Sequence, residues 1–255
     1  MRYKIARGAA FPVLVLCLWE IGVRLGSVDV FFLPAPSAVG KSFLNMLANG
    51  LWQASLWASL KRLLTGFVLS ALCAVPLGIL AGKTRNVRYW VSPTLTFLQQ
   101  IPPIAWIPVF ILWLGIGEAS KIAVIVYAAF FPIFLNTVQG VGGVDPQLIE
   151  VGRAFMLKPL RMLRRVYLPS AALAIFTGLR LGLSNCWRAL VGAELIAAAT
   201  GIGALINDGR QLSQPDKIFV AVFTIGLAGM LIDFSLKKLE NKLRPGKRMY
   251  AQGGK

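Results

Sequence analysis

Glu150-Val151-Gly152-Arg153-Ala154-Phe155-Met156, followed after nine residues by Val166-Tyr167-Leu168-Pro169, is the stretch on which the reading of this chain turns. It is the long, strongly basic interruption in a sequence that is otherwise mostly apolar. Arg153, Lys158, Arg161, Arg164 and Arg165 fall inside it, and apolar runs flank it on both sides. A short helix with an acidic start and a basic end has no place in lipid, where ionised side chains are costly. It is placed instead to dock something at the membrane face.

Working outward, runs without a single charge cover 63–82, 89–117, 122–144 and 218–232. The first three reach the roughly 20 residues that cross a hydrocarbon core, and the fourth needs its flanks. Two further spans tolerate charges: 8–25, with Glu20 and Arg24, and 166–199, with Arg180, Arg188 and Glu194. With 56% hydrophobic residues and a mean hydropathy of +0.68, the chain is too apolar for a soluble domain of its length. The expectation is an all-α integral membrane fold with six transmembrane helices, organised as a single domain over 1–255. The first apolar run is not followed by a small-residue cleavage site, so no cleavable signal peptide is expected.

A net charge of +17 raises the question of nucleic acid, and its distribution answers it. With six spans and the N-terminus inside, the cytoplasmic segments hold Arg2, Lys4 and Arg7, then Lys83, Arg85 and Arg88, then the five basic residues of the central stretch. The tail adds Lys237, Lys238, Lys242, Arg244, Lys247, Arg248 and Lys255. Most of the 27 Lys and Arg therefore fall on one side, which is the orientation signal of a multi-pass protein with both termini in the cytoplasm. No nucleic-acid partner is expected. The tail, 237–255, reads as an anchor facing lipid headgroups.

Histidine is absent, which removes the commonest general base and the commonest metal ligand. Cys17, Cys73 and Cys186 all lie in apolar segments and read as small buried hydrophobes. Neither a catalytic residue nor a metal site is expected. Gly40-Lys41-Ser42 looks like the end of a phosphate loop, but Ala35 stands where its first glycine belongs and no strand precedes it. No cofactor is expected on this chain; if ATP is used, another subunit binds it.

Along the chain, Leu33-Pro34-Ala35-Pro36 is a rigid extended element in an outer segment, and 55–62 begins an amphipathic helix that runs into the second span. Residues 83–88 form a tight inner turn. The third span holds Pro102, Pro103 and Pro108; such a break frees backbone carbonyls and is tolerated only beside protein or a water-filled cavity. It reads equally as a packing kink or as a pathway lining. Residues 115–121 make a short outer turn. Asp145 is a good helix N-cap and Pro146 a good first helical residue, so a helix starts there and ends near Lys158-Pro159. A second basic helix covers 160–167.

The quoted stretch resembles the cytoplasmic loop of ABC importer permeases, whose pattern is Glu-Ala-Ala-x3-Gly-x9-Ile-x-Leu-Pro. Every spacing matches, with identity at Glu150, Leu168 and Pro169. Val151, Gly152 and Val166 are mild replacements, while Met156 in place of the family's glycine is a real departure. The resemblance implies a type I importer permease with coupling helices over 146–167 that fit a cleft in a separate ATPase, with Glu150, Val151, Gly152, Met156, Leu168 and Pro169 as the coupling residues. It also implies a core permease region over about 60–243. Leu33–Ser37, 102–108, 113–118, 193–197 and Gly201-Ile202-Gly203 are similar to the taurine, alkanesulfonate and nitrate permease group. By that resemblance the chain sits in a bacterial inner membrane as one of two permease copies, a homodimer. It works with two ATPase subunits carrying ATP-Mg and an extracytoplasmic binding protein.

Within the spans, Arg180 with Gln100 and Trp106 could meet an anion's oxygens and its apolar part, since guanidinium groups recognise oxyanions well; the alternative is that Arg180 pairs inside the bundle. Glu194 is a further pathway candidate, weighed against a structural hydrogen-bonding role near the outer mouth. Arg188 is expected to snorkel to the outer interface, and Glu20 to pair with Arg24 four residues on. A secondary transporter would need intramembrane carboxylates or an inverted repeat, and neither is evident beyond Glu194. An intramembrane enzyme lacks its triad and motif residues. The cargo expected from the resemblance is taurine or another sulfonate, then nitrate, then an aromatic or vitamin precursor, with the binding protein setting the choice.

Overall fold

The computed structural model describes residues 2–26 and 29–243, with side chains described for all of these but 2–10, 85–88, 91–92 and 241–243. The end of the basic tail, including Arg244, Lys247, Arg248 and Lys255, lies outside the described residues. Those described form helices and connections, with no strand among them. The helices are α1 (Arg2–Arg24), α2 (Pro36–Ala48), α3 (Leu51–Lys83), α4 (Arg85–Gln100), α5 (Ile107–Leu114), α6 (Glu118–Gly142), α7 (Pro146–Ala154), α8 (Pro159–Met162), α9 (Leu168–Ala197), α10 (Ile202–Gln211) and α11 (Pro215–Leu243). A 3₁₀ turn, Pro103–Trp106, precedes α5, and a π-helical turn, Leu163–Tyr167, joins α8 to α9.

The chain divides into two compact units, Met1–Leu60 with Glu194–Leu227, and Lys61–Ala193 with Ala228–Lys255. In the first, Trp19 of α1 packs on Phe219 and Phe223 of α11. Glu20 pairs with Arg24 at 2.7 Å, as the spacing predicts. The same carboxylate accepts from Ser37 N (3.0 Å) and Ser37 Oγ (2.8 Å), so it caps the start of α2 from a distance. Ala35 is extended and Pro36 opens α2. Neither α2 nor α10 was anticipated from the sequence: their mixed polarity gave no span signal, and only their caps announce them.

In the second unit α6 is the central helix, flanked by α3 and α9. A Cβ on Gly66 would stand 2.6 Å from Ile125, one on Gly78 2.7 Å from Thr137, and one on Gly82 2.7 Å from Val141. The partner numbers rise together, so α3 and α6 run parallel. On the other flank, Gly140 faces Ala174, Gly178 faces Asn136 and Gly182 faces Ile133, so α9 runs antiparallel to α6. Small residues at both seams let the backbones approach, the usual basis of helix association in lipid. Gly229 of α11 lies against Trp187, and Glu240 pairs with Arg180, which makes α11 antiparallel to α9.

These directions settle the broken third span. Since α3 and α6 are parallel, the chain between them must recross, and it does so as Pro93–Gln100 plus Pro103–Leu114, bent by 88° at the prolines. Four helices are long and apolar enough to cross a membrane, and this bent pair makes a fifth crossing. The sixth expected crossing is α1, whose 23 residues are long enough at ~1.5 Å each but rest on length and sequence alone. Helix α3, at 33 residues, is longer than a ~30 Å core requires at that rise and so extends beyond it.

Three expectations are corrected. Only Thr84 lies between α3 and α4, so the inner turn over 83–88 is a one-residue break. The second basic helix is not separate: α8 and the π turn run on into α9. Pro169 has no N–H, so a regular α-helix through it would strand the Arg165 carbonyl; the widened turn over Leu163–Tyr167 absorbs that defect. Of the cysteines, Cys186 is buried, but Cys17 and Cys73 are exposed among exposed apolar neighbours such as Leu16, Leu18, Leu69 and Leu72, a surface suited to lipid.

Candidate functional site: a coupling face and a cavity at the broken span

Asp145 caps α7, its Oδ1 accepting from Gln147 N at 2.9 Å, with Pro146 as the first helical residue. The helix ends in a tight chain reversal. Leu157 N donates to Gly152 O (3.1 Å) and Met156 N to Arg153 O (2.8 Å), the paired bonds of a Schellman cap. That cap needs a left-handed residue, and Met156 supplies it at φ +48°. Met156, which stands where the sequence pattern has glycine, is thus the position at which the backbone is left-handed. Methionine is tolerated because its side chain, 90% exposed, meets no obstacle; the left-handed conformation costs about 1–2 kcal/mol relative to glycine.

Gly152 does not belong to the outward face. It is buried, and a Cβ there would lie 2.5 Å from Met162 Sδ and 3.3 Å from Val166, so its smallness lets α7 lie on the π turn. Glu150, Val151 and Pro169 are exposed and Leu168 is half-buried. Phe155 (77% exposed), Met156 and Leu160 form an apolar protrusion. Beside it lies a groove of about 440 Å³ lined by Leu148, Val151, Gly152, Phe155, Leu157, Arg165, Val166 and Ser170. Lys83 Nζ sits 5.3 Å above the Tyr167 ring, which puts the end of α3 beside this segment. The same end of the unit holds Arg153, Lys158, Arg161, Arg164 and Arg165.

A second concavity, about 340 Å³, opens at the broken span. Gln99, Ile101, Pro103 and Ile104 come from the break, Tyr127, Ala128, Phe131 and Pro132 from α6, and Asn185, Arg188, Ala189 and Gly192 from α9. Pro102 cannot donate to Leu98 O as a helical residue would; that carbonyl accepts from Ile101 N at 3.1 Å and from Tyr127 Oη at 2.5 Å. Gly192 lets α9 approach, since a Cβ there would already be 3.3 Å from Ile104 Cδ1.

The pathway candidates named from sequence fall in different places. Arg180 Nη1 donates to Glu240 Oε2 at 2.5 Å, the internal pairing weighed as the alternative. Gln100 is exposed and its neighbour Gln99 lines the cavity; one residue turns a helix by about 100°. Trp106 stacks on Phe110 and lies 5.4 Å from Tyr127, behind the lining. Glu194 is fully buried, accepting from Ser59 Oγ at 2.7 and 2.8 Å and from Gly203 N at 2.9 Å. Ser59 Oγ in turn accepts from Ile202 N at 2.9 Å. The carboxylate thus holds the first turn of α10. Sequence reasoning missed Asn185, Arg188, Tyr127 and Gln99 as cavity residues. The available signal was the 185/188/189/192 spacing, one polar and small face of a helix in an apolar span.

Residues 74–245 match the model of the family described as binding-protein-dependent transport system inner membrane component. The chain belongs to this family. Among curated relatives it is 36% identical to the putative aliphatic sulfonates transport permease protein SsuC of Bacillus subtilis (98% of this chain, 90% of that one). It is 32% identical to the taurine transport system permease protein TauC of Escherichia coli (91% and 87%). It is 31% identical to the nitrate import permease protein NrtB of Synechocystis (96% and 91%). Among solved structures, the fold matches inward-facing conformations of the MetNI methionine ABC transporter with a TM-score of 0.66 at 19% identity, covering 76% of this chain and 96% of that one. The chain is therefore a multi-pass ABC importer permease, a transport subunit whose role implies ATPase and binding-protein partners.

Proposed function

We propose that this permease imports a small aliphatic sulfonate, taurine included, delivered by a binding protein and driven by ATP hydrolysis in a partner subunit. The observation that carries the coupling half is the apolar protrusion of Phe155 and Met156 beside a groove, on a chain reversal held by two cap bonds. Soluble-facing surface rarely offers so much clustered apolar area without a partner. Segment 146–167 is the coupling element, with Glu150 and Val151 toward the ATPase, Gly152 inside, and Leu168 and Pro169 passing motion into α9. ATP-Mg stays with the two ATPase subunits. Two copies of the chain form the transmembrane part, as the resemblance implies. The concentration of basic residues around Lys83 and 153–165 supports a cytoplasmic location for that end and for both termini.

The sulfonate half rests on the named relatives and on the fragments shared with their group. The test is reconstitution of the permease, its ATPase and its binding protein in liposomes. ATP-dependent uptake of taurine or ethanesulfonate, abolished by a non-hydrolysing ATPase, is the expected result. Uptake of nitrate alone would overturn the sulfonate reading. Uptake that ignores ATP and follows the proton gradient would overturn the importer mechanism.

A further inference from the structure

Three cations in the second unit's membrane-crossing helices are matched by a carboxylate. Arg62 donates to Glu118 at 2.6 and 2.9 Å, Lys121 donates to the same carboxylate at 2.9 Å, and Arg180 is held by Glu240. Arg188 of α9 is not. Among the described residues it has no hydrogen-bond or ion-pair partner, although it sits on a helix that crosses the membrane. An ionised group in a span normally faces a partner or a pathway, and Arg188 faces the cavity at the broken span.

The rest of the lining agrees with an anion as the missing partner. Arg188 is the one charged group among the lining residues, so nothing there competes for its guanidinium. Asn185, one turn back on the same face of α9, and Gln99 across the cavity bring side-chain amides, each able to donate twice. Facing them are Ile104, Phe131 and Pro103, an apolar wall. A volume of about 340 Å³ is at the small end of the ~300–1,000 Å³ usual for ligand sites, suited to a head group with a short tail. The planar fork of an arginine matches paired oxygens of an oxyanion.

We infer that this cavity is an intramembrane binding site for a small organic monoanion, its sulfonate-type head on Arg188, Asn185 and Gln99 and its short aliphatic tail against Ile104 and Phe131. The inference rests on the sulfonate reading above for the identity of the head group, but the site itself is a property of this chain. It gives the permease a selectivity step of its own, after release from the binding protein. The α4–α5 break supplies one wall of the site through Gln99, Ile101, Pro103 and Ile104.

The test has two arms. In nanodiscs holding the permease–ATPase complex without binding protein, ethanesulfonate should raise the melting temperature of the unaltered complex. Arg188→Gln should lose that shift and Arg188→Lys should keep part of it, while ethyltrimethylammonium should do nothing to any of them. In liposomes with the binding protein, Arg188→Gln should lower ethanesulfonate uptake at least tenfold per assembled complex, with Arg188→Lys partly restoring it. Equal shifts in the unaltered and Arg188→Gln complexes, a response to the cation, or no response to any anion would overturn the site. If nitrate shifts the unaltered complex through Arg188 and sulfonates neither bind nor enter, the anion site stands and the sulfonate reading falls.

Discussion

Of the described residues that adopt a positive φ, Gly201 and Met156 solve the problem in opposite ways. Gly201, at φ +121°, closes the loop between α9 and α10, and a Cβ there would lie 2.3 Å from Glu194 Oε1. Met156, at φ +48°, closes the loop after α7, and its side chain stands in the open. The first turn is enclosed, and the groups that hold it are a buried carboxylate, a hydroxyl and two backbone N–H groups. The second is exposed and keeps a strained, apolar residue where glycine would be easier. Glycine is compulsory where packing leaves no room; methionine persists where the only cost is conformational. Such a cost at an exposed apolar tip is what a contact surface, not a scaffold, would carry.

The comparison breaks if the two turns respond alike to substitution. Gly201→Ala should have the largest effect, on the order of 3–5 kcal/mol, because left-handed strain adds to a clash with a buried carboxylate; thermal unfolding of the purified permease and its amount in the membrane would measure it. A variant as stable as the original would mean that Glu194 does not fill that space. Glu194→Ala should cost about 2–4 kcal/mol by leaving Gly203 N–H and the Ser59 hydroxyl unsatisfied, with Glu194→Gln milder since an amide oxygen can still accept. Finding Glu194→Ala fully stable but transport-dead would move Glu194 from scaffold to pathway.

At the exposed turn the sign of the contrast reverses. Phe155→Asp should leave stability within about 0.5 kcal/mol, as surface changes usually do, yet weaken ATPase association at least tenfold, about 1.4 kcal/mol. Co-purification of the ATPase at matched permease levels reads this directly, and unchanged association would remove the protrusion from the coupling face. Met156→Gly should be the smallest perturbation and should stabilise, by about 1 kcal/mol, visible as a higher melting temperature. A lower one would show that the side chain, not the backbone, holds that turn.

Part of the segment over 146–167 was legible in the sequence because its signals are local. An Asp-Pro helix start and Leu168-Pro169 at the entry to a span are each written within two residues, whereas the helix end, expected near Lys158-Pro159, falls at Ala154 because the chain reverses at the left-handed Met156. The cavity was not legible in the same way. Arg180, Arg188 and Glu194 look alike as single charges in one apolar run, and their fates depend on distant parts of the chain: Glu240, 60 residues away, takes Arg180, Ser59, 135 residues away, takes Glu194, and Arg188 lines a cavity with no carboxylate among its lining residues.

What the sequence determined by itself is the class of the molecule, its long apolar spans, its basic segments and the start of α7, since apolar run length, charge clustering and cap residues are properties of contiguous residues. Tertiary structure alone decided that α3 and α6 run parallel, that the proline break is a full crossing, that Gly152 faces inward, and that Arg188 rather than Arg180 meets the cavity. Those are matters of which helix face meets which, and in a chain whose spans are all apolar the pairing is selected by the fit of small residues such as Gly78 and Gly140 against distant neighbours.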